Sequence, residues 1–327
     1  MFNVSENGVL IYQAGDSPGE QQITWFDRAG KELSSGEGGI KLHGVRLSPD
    51  GAKLAFKAGE PTTDIWVDEL ARGARVRITK DPGVEPYTSP TWSPDGRRIL
   101  FGGGTDKAGM GIYQMNSNGA GDKELLLWVE TSVSFIFPTD SSRDGKLILY
   151  VRGANLRKQD VWVLPLVGDR KPRLLVQNAF DGQFSPDGRW VAYTEFNSST
   201  DSGKDQICVV PFDATKVLDT APGAVTSLTD KYQISVSRGA IARWRGDGKE
   251  IFYFGPNSQM MMAAEVDGKG NSFAARKEQV LFKLPEGSGW YDVAPGGKRF
   301  VMTTQKLNPN KPLTLVQNWT ALLGNKP

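Results

Sequence analysis

Gly15-Asp16-Ser17-Pro18-Gly19 has the spacing of the sharp turn that presents the serine nucleophile of many hydrolases. Such a serine needs a base to take its proton and an acid to orient that base, and its turn must join a strand to a helix. The chain has one histidine, His43, 26 residues beyond Ser17, and the segment between reads as hairpin loop and strand. Nucleophilic catalysis is not expected there. One histidine and one cysteine leave few soft ligands for zinc. Asp267-Gly268-Lys269-Gly270-Asn271 begins like a calcium loop but lacks the closing glutamate, and reads as a polar turn. No metal and no cofactor is expected. The His-Arg-Asp and Asp-Phe-Gly motifs of a protein kinase are missing.

The elements that would position functional groups are set by one recurring phrase. It reads Leu47-Ser48-Pro49-Asp50-Gly51, Trp92-Ser93-Pro94-Asp95-Gly96, Ser142-Arg143-Asp144-Gly145, Phe184-Ser185-Pro186-Asp187-Gly188 and Trp244-Arg245-Gly246-Asp247-Gly248. Weaker copies are Val4-Ser5-Glu6-Asn7-Gly8 and Val293-Ala294-Pro295-Gly296-Gly297. From one Asp-equivalent position to the next the steps are 43, 45, 49, 43, 60 and 49 residues. Arg245-Gly246-Asp247, an adhesion tripeptide in other settings, is accounted for by the repeat. Asp-Gly turns a chain sharply because glycine accepts positive φ and aspartate bonds nearby amides.

Each phrase leads into an alternating apolar run such as Lys53-Leu54-Ala55-Phe56 or Trp190-Val191-Ala192-Tyr193. A second run follows, of the type Asp64-Ile65-Trp66-Val67 and Asp160-Val161-Trp162-Val163, then a weaker one such as Arg173-Leu174-Leu175-Val176 or Ala224-Val225-Thr226-Ser227. Four antiparallel strands at this period make the blade of a β-propeller. The spacing predicts an all-β, single-domain propeller of seven blades, over repeats 1–36, 37–80, 81–129, 130–177, 178–230, 231–284 and 285–327. Six is the alternative if a terminal unit stays outside the ring. The last unit lacks an outer strand, and the third departs from the pattern, with Ser141 in place of an aromatic and Arg143 in place of proline.

A formal charge of +2, from 39 basic and 37 acidic residues, gives no field that would recruit nucleic acid. Local basic runs such as Arg170-Lys171-Pro172-Arg173 read as solvated turns. Cys208 occupies a strand position held by Trp66 and Trp162 in other units, so it reads as a small buried apolar residue. Trp92, Phe184 and Trp244 read as packing between blades. No apolar run is long enough to span a membrane, and Met1-Phe2-Asn3-Val4 does not start a signal peptide. Either the chain is cytosolic or it is an excised domain with targeting signals upstream; the second is the expectation, with no direct membrane insertion of this chain.

In a propeller, the loops leading into the inner strands ring one mouth of the central channel. Here they supply His43, Arg46, Glu85, Tyr87, Phe135, Phe137, Phe180, Asp181, Arg238, Arg243, Trp290 and Tyr291. They differ from unit to unit, unlike the turns, and mix aromatics with arginine, which suits a protein, a peptide or a small ligand. For Phe135, Phe137 and Phe180 a core role in the throat is at least as strong a reading.

With its Ser-Pro-Asp-Gly turns and Asp-Ile-Trp strands, the chain resembles the TolB-like propeller family along its whole length. Ile23-Thr24-Trp25-Phe26-Asp27-Arg28-Ala29-Gly30, Leu164-Pro165-Leu166, Lys171-Pro172, Gly182-Gln183-Phe184-Ser185-Pro186-Asp187-Gly188-Arg189-Trp190 and Asn318-Trp319 also resemble the C-terminal propeller of bacterial eukaryotic-like serine/threonine protein kinases. That resemblance implies a sensor or docking module in a periplasmic or extracytoplasmic setting, with no catalytic residues. The alternatives are a propeller enzyme acting on polysaccharide, for which Glu85 with Asp181 is the hint, and the gating propeller of a peptidase.

Overall fold

The computed structural model describes residues 2–5, 9–12, 21–36, 42–59, 63–80, 89–105, 109–130, 135–155, 157–197, 205–224, 230–270, 272–306 and 314–317. The repeat phrase explains their local structure. Ser48 Oγ donates to Asp50 Oδ1 (2.5 Å) and accepts the Lys53 N–H (2.9 Å), while the Gly51 N–H closes onto Ser48 O (2.7 Å). Gly51 takes a φ of 70°, which a side chain would oppose. Ser93 with Asp95, Ser142 with Asp144 and Ser185 with Asp187 repeat the serine-to-aspartate bond at 2.6–2.7 Å. That serine hydroxyl is the main reason Asp50, Asp95 and Asp144 are held below the usual carboxylate range. The third unit keeps the whole turn although Arg143 replaces its proline.

Among the described residues the four-stranded blades are six in number, not the seven predicted. Blade 1 spans His43–Leu47 to Ala74–Arg77, blade 2 Thr91–Trp92 to Glu124–Glu130, and blade 3 Phe135–Ser141 to Arg173–Val176. Blade 4 spans Ala179–Phe184 to Tyr232–Gln233, and blade 5 Ala240–Trp244 to Ser272–Lys283. Blade 6 is composite. Its inner strands, Tyr291–Val293 and Arg299–Gln305, come from the last repeat, and its outer strands, Gln21–Asp27 and Glu32–Ser35, from the first. The remaining strands of those two repeats, Phe2–Val4, Val9–Tyr12 and Thr314–Gln317, pair with one another in a separate three-stranded sheet. Two terminal units thus exchange halves and yield one blade.

The packing closes the ring at six. Apolar clusters lie between consecutive blades, one to a seam. Trp92 packs with Ile65 and Val67 of blade 1, Phe184 with Leu149 and Val161 of blade 3, and Trp244 with Ile207 and Val209 of blade 4. The closing seam sets Ile23 and Val301 of blade 6 against Val45, Leu54 and Phe56 of blade 1. Burial of whole aliphatic side chains of this kind stabilises by about 1.5–3 kcal/mol each.

The 60-residue step of the sequence pattern has a local cause. Between the third strand of blade 4 (Gln206–Pro211) and its outer strand lies a short helix, α1 (Ala214–Asp219), whose N-cap Asp213 accepts from the Thr215 N–H at 3.0 Å. The outer strand forms at Tyr232–Gln233, later than the expected 224–227, of which 225–227 lie outside the described residues. Cys208 is buried and free, as its strand position implied, and burial pushes its thiol up to about 12.

Candidate functional site at the propeller axis

Two residues before the serine position of each turn phrase (Ser48, Ser93, Ser142, Ser185, Arg245 and Ala294), the inner strands carry Arg46, Thr91, Asp140, Gln183, Arg243 and Asp292. Register breaks in the inner strands re-aim side chains at this level, between His43 and Arg46, Phe180 and Gln183, and Ala240 and Arg243. Each break holds a residue in the left-handed region: Gly44 (φ 62°), Asp181 (φ 55°) and Ile241 (φ 60°). A β-branched residue there is a genuine outlier. Ile241 is held by both its backbone groups, its N–H donating to Thr194 Oγ1 (3.0 Å) and its carbonyl accepting from Tyr291 Oη (2.8 Å).

Asp181 is the hub. Arg243 Nη1 donates to its Oδ2 at 2.6 Å and Arg46 Nη2 to its Oδ1 at 3.1 Å. The side chains of Asp181 and Arg243 are 1% exposed, so both charges are withdrawn from bulk solvent. Burial pushes Asp181 up to about 6, against the pull of Arg46. Arg243 Nε also approaches Asp292 Oδ1, at 3.7 Å.

The other polar groups at this level fasten one blade to the next. Asp292 Oδ2 accepts the Leu47 N–H (2.7 Å), Asp140 Oδ2 the Phe184 N–H (2.8 Å) and Gln183 Oε1 the Trp244 N–H (2.8 Å). Trp92 Nε1 donates to Arg46 O (3.0 Å), and Ser141 Oγ donates to Trp92 O (2.7 Å). Ser141, the departure from the aromatic pattern, therefore makes a seam bond in place of a ring contact. The second oxygens of Asp140 and Asp292 accept the N–H of their own next residue, both at 2.9 Å. Each of the six oxygens on these three aspartates already accepts a hydrogen bond, which is the arrangement of a fastening and not of a free acid and base.

Asp140 supplies a pH signature. Burial pushes it up to about 7, opposed chiefly by the Phe184 N–H. An unfolded carboxyl titrates near 4. The folded state thus holds an extra proton between those values, and the stability tied to it is full below about pH 4 and lost as pH rises to 7. Asp140→Asn, whose amide oxygen can still accept from Phe184, is expected to remove this component. Its melting temperature should gain on the wild type between pH 5 and pH 8, by about 1.5 °C for each kcal/mol involved. Parallel melting curves across that range would show that Asp140 does not titrate there.

Of the residues singled out from the sequence, Arg46, Asp181, Arg243 and Tyr291 meet at the axis. Tyr291 is fully buried, with its hydroxyl committed to Ile241, so it belongs to the interior and not to the rim. Phe135 and Phe137 form a tilted pair at 6.1 Å, and Phe180 stacks on Phe196 at 5.1 Å, all against the core between blades 3 and 4. Trp290 packs at the closing seam. His43 begins the inner strand of blade 1, and Arg238 lies half-buried before that of blade 5. Glu85 and Tyr87 fall outside the described residues. Asp140, Gln183 and Asp292 were missed, although all three share one offset from the turn phrase. No group of three or more His, Cys, Asp or Glu side chains is placed to hold a metal among the described residues. No helix among them is long and apolar enough to cross a membrane.

No family model matches the chain. Over 90% of its length it superimposes on the whole of a TolB protein of Agrobacterium tumefaciens, with a TM-score of 0.61 and 16% identity. The fold is that of the TolB-like β-propellers. An oligogalacturonate lyase bound to manganese shares the architecture over 98% of this chain and 82% of its own, with a TM-score of 0.52 and 11% identity. The uncharacterized peptidase YuxL of Bacillus subtilis is 25% identical over 204 residues, which span 50% of this chain and 30% of that protein. At these identities the likeness fixes the fold and leaves activity open.

Proposed function

We propose that the protein is a non-catalytic TolB-like propeller whose variable rim binds a protein or peptide, as the ligand-sensing or docking domain of a bacterial receptor-type serine/threonine kinase outside the cytoplasm. The observation that carries this reading is the state of the axial carboxylates. Asp140, Asp181 and Asp292 are spent on arginines and on amides of neighbouring blades. A rigid ring with committed polar groups at its centre leaves recognition to the loops that differ between blades. The peptidase reading keeps a place because of the partial likeness to YuxL, in which this chain would be the propeller beside a hydrolase domain.

Rim binding is tested with the double variant Arg238→Ala, Trp290→Ala, leaving the axis untouched. Immobilised wild type and variant are exposed to envelope extract, and the retained protein is titrated against each by calorimetry. The variant is expected to bind at least tenfold more weakly at a temperature where both proteins are folded, with a lowered melting temperature from the packing Trp290 loses at the closing seam. Arg238→Ala alone should show weakened binding with the seam intact. Equal affinity would place recognition elsewhere, and a reading frame encoding a hydrolase next to this chain would favour the peptidase.

A further inference from the structure

The ring of turn phrases has one gap. At four of its junctions the turn glycine faces the proline ring of the preceding blade. A β-carbon built on Gly51 would lie 3.4 Å from Pro295, on Gly96 3.7 Å from Pro49, on Gly145 3.4 Å from Pro94, and on Gly248 3.6 Å from Pro186. At Gly188 nothing lies within 4 Å, and the preceding blade has Arg143 where proline would stand. Beside this gap, across the turns of blades 3, 4 and 5, lies a cavity of about 420 Å³. Its size is that of a site for a small organic molecule.

The charges lining the cavity are unequally committed. Every carboxylate in its wall is neutralised: Asp187 by Arg189 (2.7 Å), Asp247 by Arg245 (2.7 Å) and Asp267 by Arg276 (2.6 Å). Arg189 is further tied to the carbonyls of Gly268 (2.8 Å) and Gly270 (3.0 Å). Arg143 and Lys249 are different. Both line the cavity, and neither side chain makes a hydrogen bond or ion pair among the described residues. Beneath them Trp190, Trp244 and Phe273 form a packed aromatic wall, with Trp190 and Phe273 4.9 Å apart. Trp190 is 2% exposed, and its buried Nε1 has no hydrogen-bond partner.

We propose that this cavity is a binding site for a small organic anion, a carboxylate or phosphate ester with an apolar body, held by Arg143 and Lys249 against the aromatic wall. An anion there gains two guanidinium or ammonium partners and meets no unpaired carboxylate. The site lies on the turn side of the ring, so it is independent of the rim reading. Arg143 serves twice, since its side chain supplies charge and the missing proline leaves the gap.

Phenyl phosphate, benzoate, inorganic phosphate and the neutral control benzyl alcohol are the probes, titrated into the full chain by calorimetry and by protein-observed NMR. Saturable binding of phenyl phosphate or benzoate is expected, with inorganic phosphate weaker and benzyl alcohol showing none. Arg143→Glu and Lys249→Glu should each weaken binding at least tenfold, and Arg143→Pro, which restores the phrase of the other blades, should abolish it without lowering the melting temperature. No saturable binding of either aromatic anion by the wild type would overturn the proposal. So would affinity unchanged in both charge-reversal variants, or equal binding of benzyl alcohol. Should a charge-reversal variant melt early, Arg143→Gln gives the same reading with no added charge.

Discussion

Replacing Asp181 with alanine is expected to destabilise the propeller by about 3–5 kcal/mol, the usual cost of leaving a buried charge without its partner. Among the described residues Asp181 is the one carboxylate that touches both Arg46 and Arg243, and Arg243 is almost fully removed from water. Without it, Arg243 keeps among the described residues the distant Asp292 oxygen, the carbonyl of its neighbour Ala242 and the face of the Tyr291 ring, 5.8 Å away. The rest of the axis cannot move to help, because Asp292 and Asp140 are already bonded to amides of neighbouring blades. Urea denaturation followed by tryptophan fluorescence measures the loss. A second variant separates charge from backbone. Asp181 has a φ of 55°, where glycine is at ease and other residues are strained. If the ion pairs dominate, Asp181→Gly is destabilised nearly as much as Asp181→Ala. A glycine variant as stable as the wild type would mean that backbone strain had offset the pairing, and the hub would lose its importance.

The blades were legible because their signal is local. A turn phrase and the alternating strand behind it lie within one stretch of chain, so each unit announces itself, and the strands at 53–58, 98–105 and 190–195 form where the phrase places them. The number of blades was not legible, because it depends on which halves of distant units pair. Nothing in Val4-Ser5-Glu6-Asn7-Gly8 records that the strands after it, Gln21–Asp27 and Glu32–Ser35, complete the sheet begun at Tyr291. The missing outer strand of the last repeat was the available clue, and the first repeat supplies it.

The axial site divides in the same way. Arg46 and Arg243 stood out because the segments leading into the inner strands differ from unit to unit while the turns repeat. Asp140 and Asp292 did not, since an aspartate near a turn is ordinary, and Gln183 is inconspicuous anywhere. What joins them is a shared offset from the turn, visible only when the units are laid over one another. Their role follows from propeller geometry: the inner strands converge, so a short polar side chain at that level reaches the next blade's amide. Tyr291 lies in the interior for the converse reason. Its neighbour Trp290 is partly buried at the seam, but one residue further along a strand the side chain points the other way, into the core between blades 5 and 6.

Removing residues 1–36 is expected to abolish cooperative folding, because the ring is latched by strands from its own beginning. Gln21–Asp27 pairs along its full length with Arg299–Gln305, from Gln21 opposite Gln305 to Asp27 opposite Arg299. Thr24 and Thr304 share a buried hydroxyl bond of 2.7 Å, Phe26 stacks on Phe282 at 6.1 Å, and Arg299 lies over Trp25 at 5.4 Å. Arg28 grips the buried Glu250 of blade 5 and the Gly297 carbonyl, tying the latch to the neighbouring blade as well. Losing Phe26 alone would cost about 3–5 kcal/mol by analogy with other buried phenylalanines, and a domain holds only about 5–15 kcal/mol in all. The truncated chain would also bare the edge of Arg299–Gln305, where Phe300, Val301 and Met302 are fully buried in the closed ring, and such an edge invites aggregation. The measurement is a calorimetric melt of the truncated chain with and without a synthetic peptide covering residues 21–36. Absence of a transition alone, and its return with the peptide, is the expected pair of results. A truncated chain that melts cooperatively within about 5 °C of the full protein, a shift worth only about 3 kcal/mol at this size, would show that the blades hold their ring without the latch.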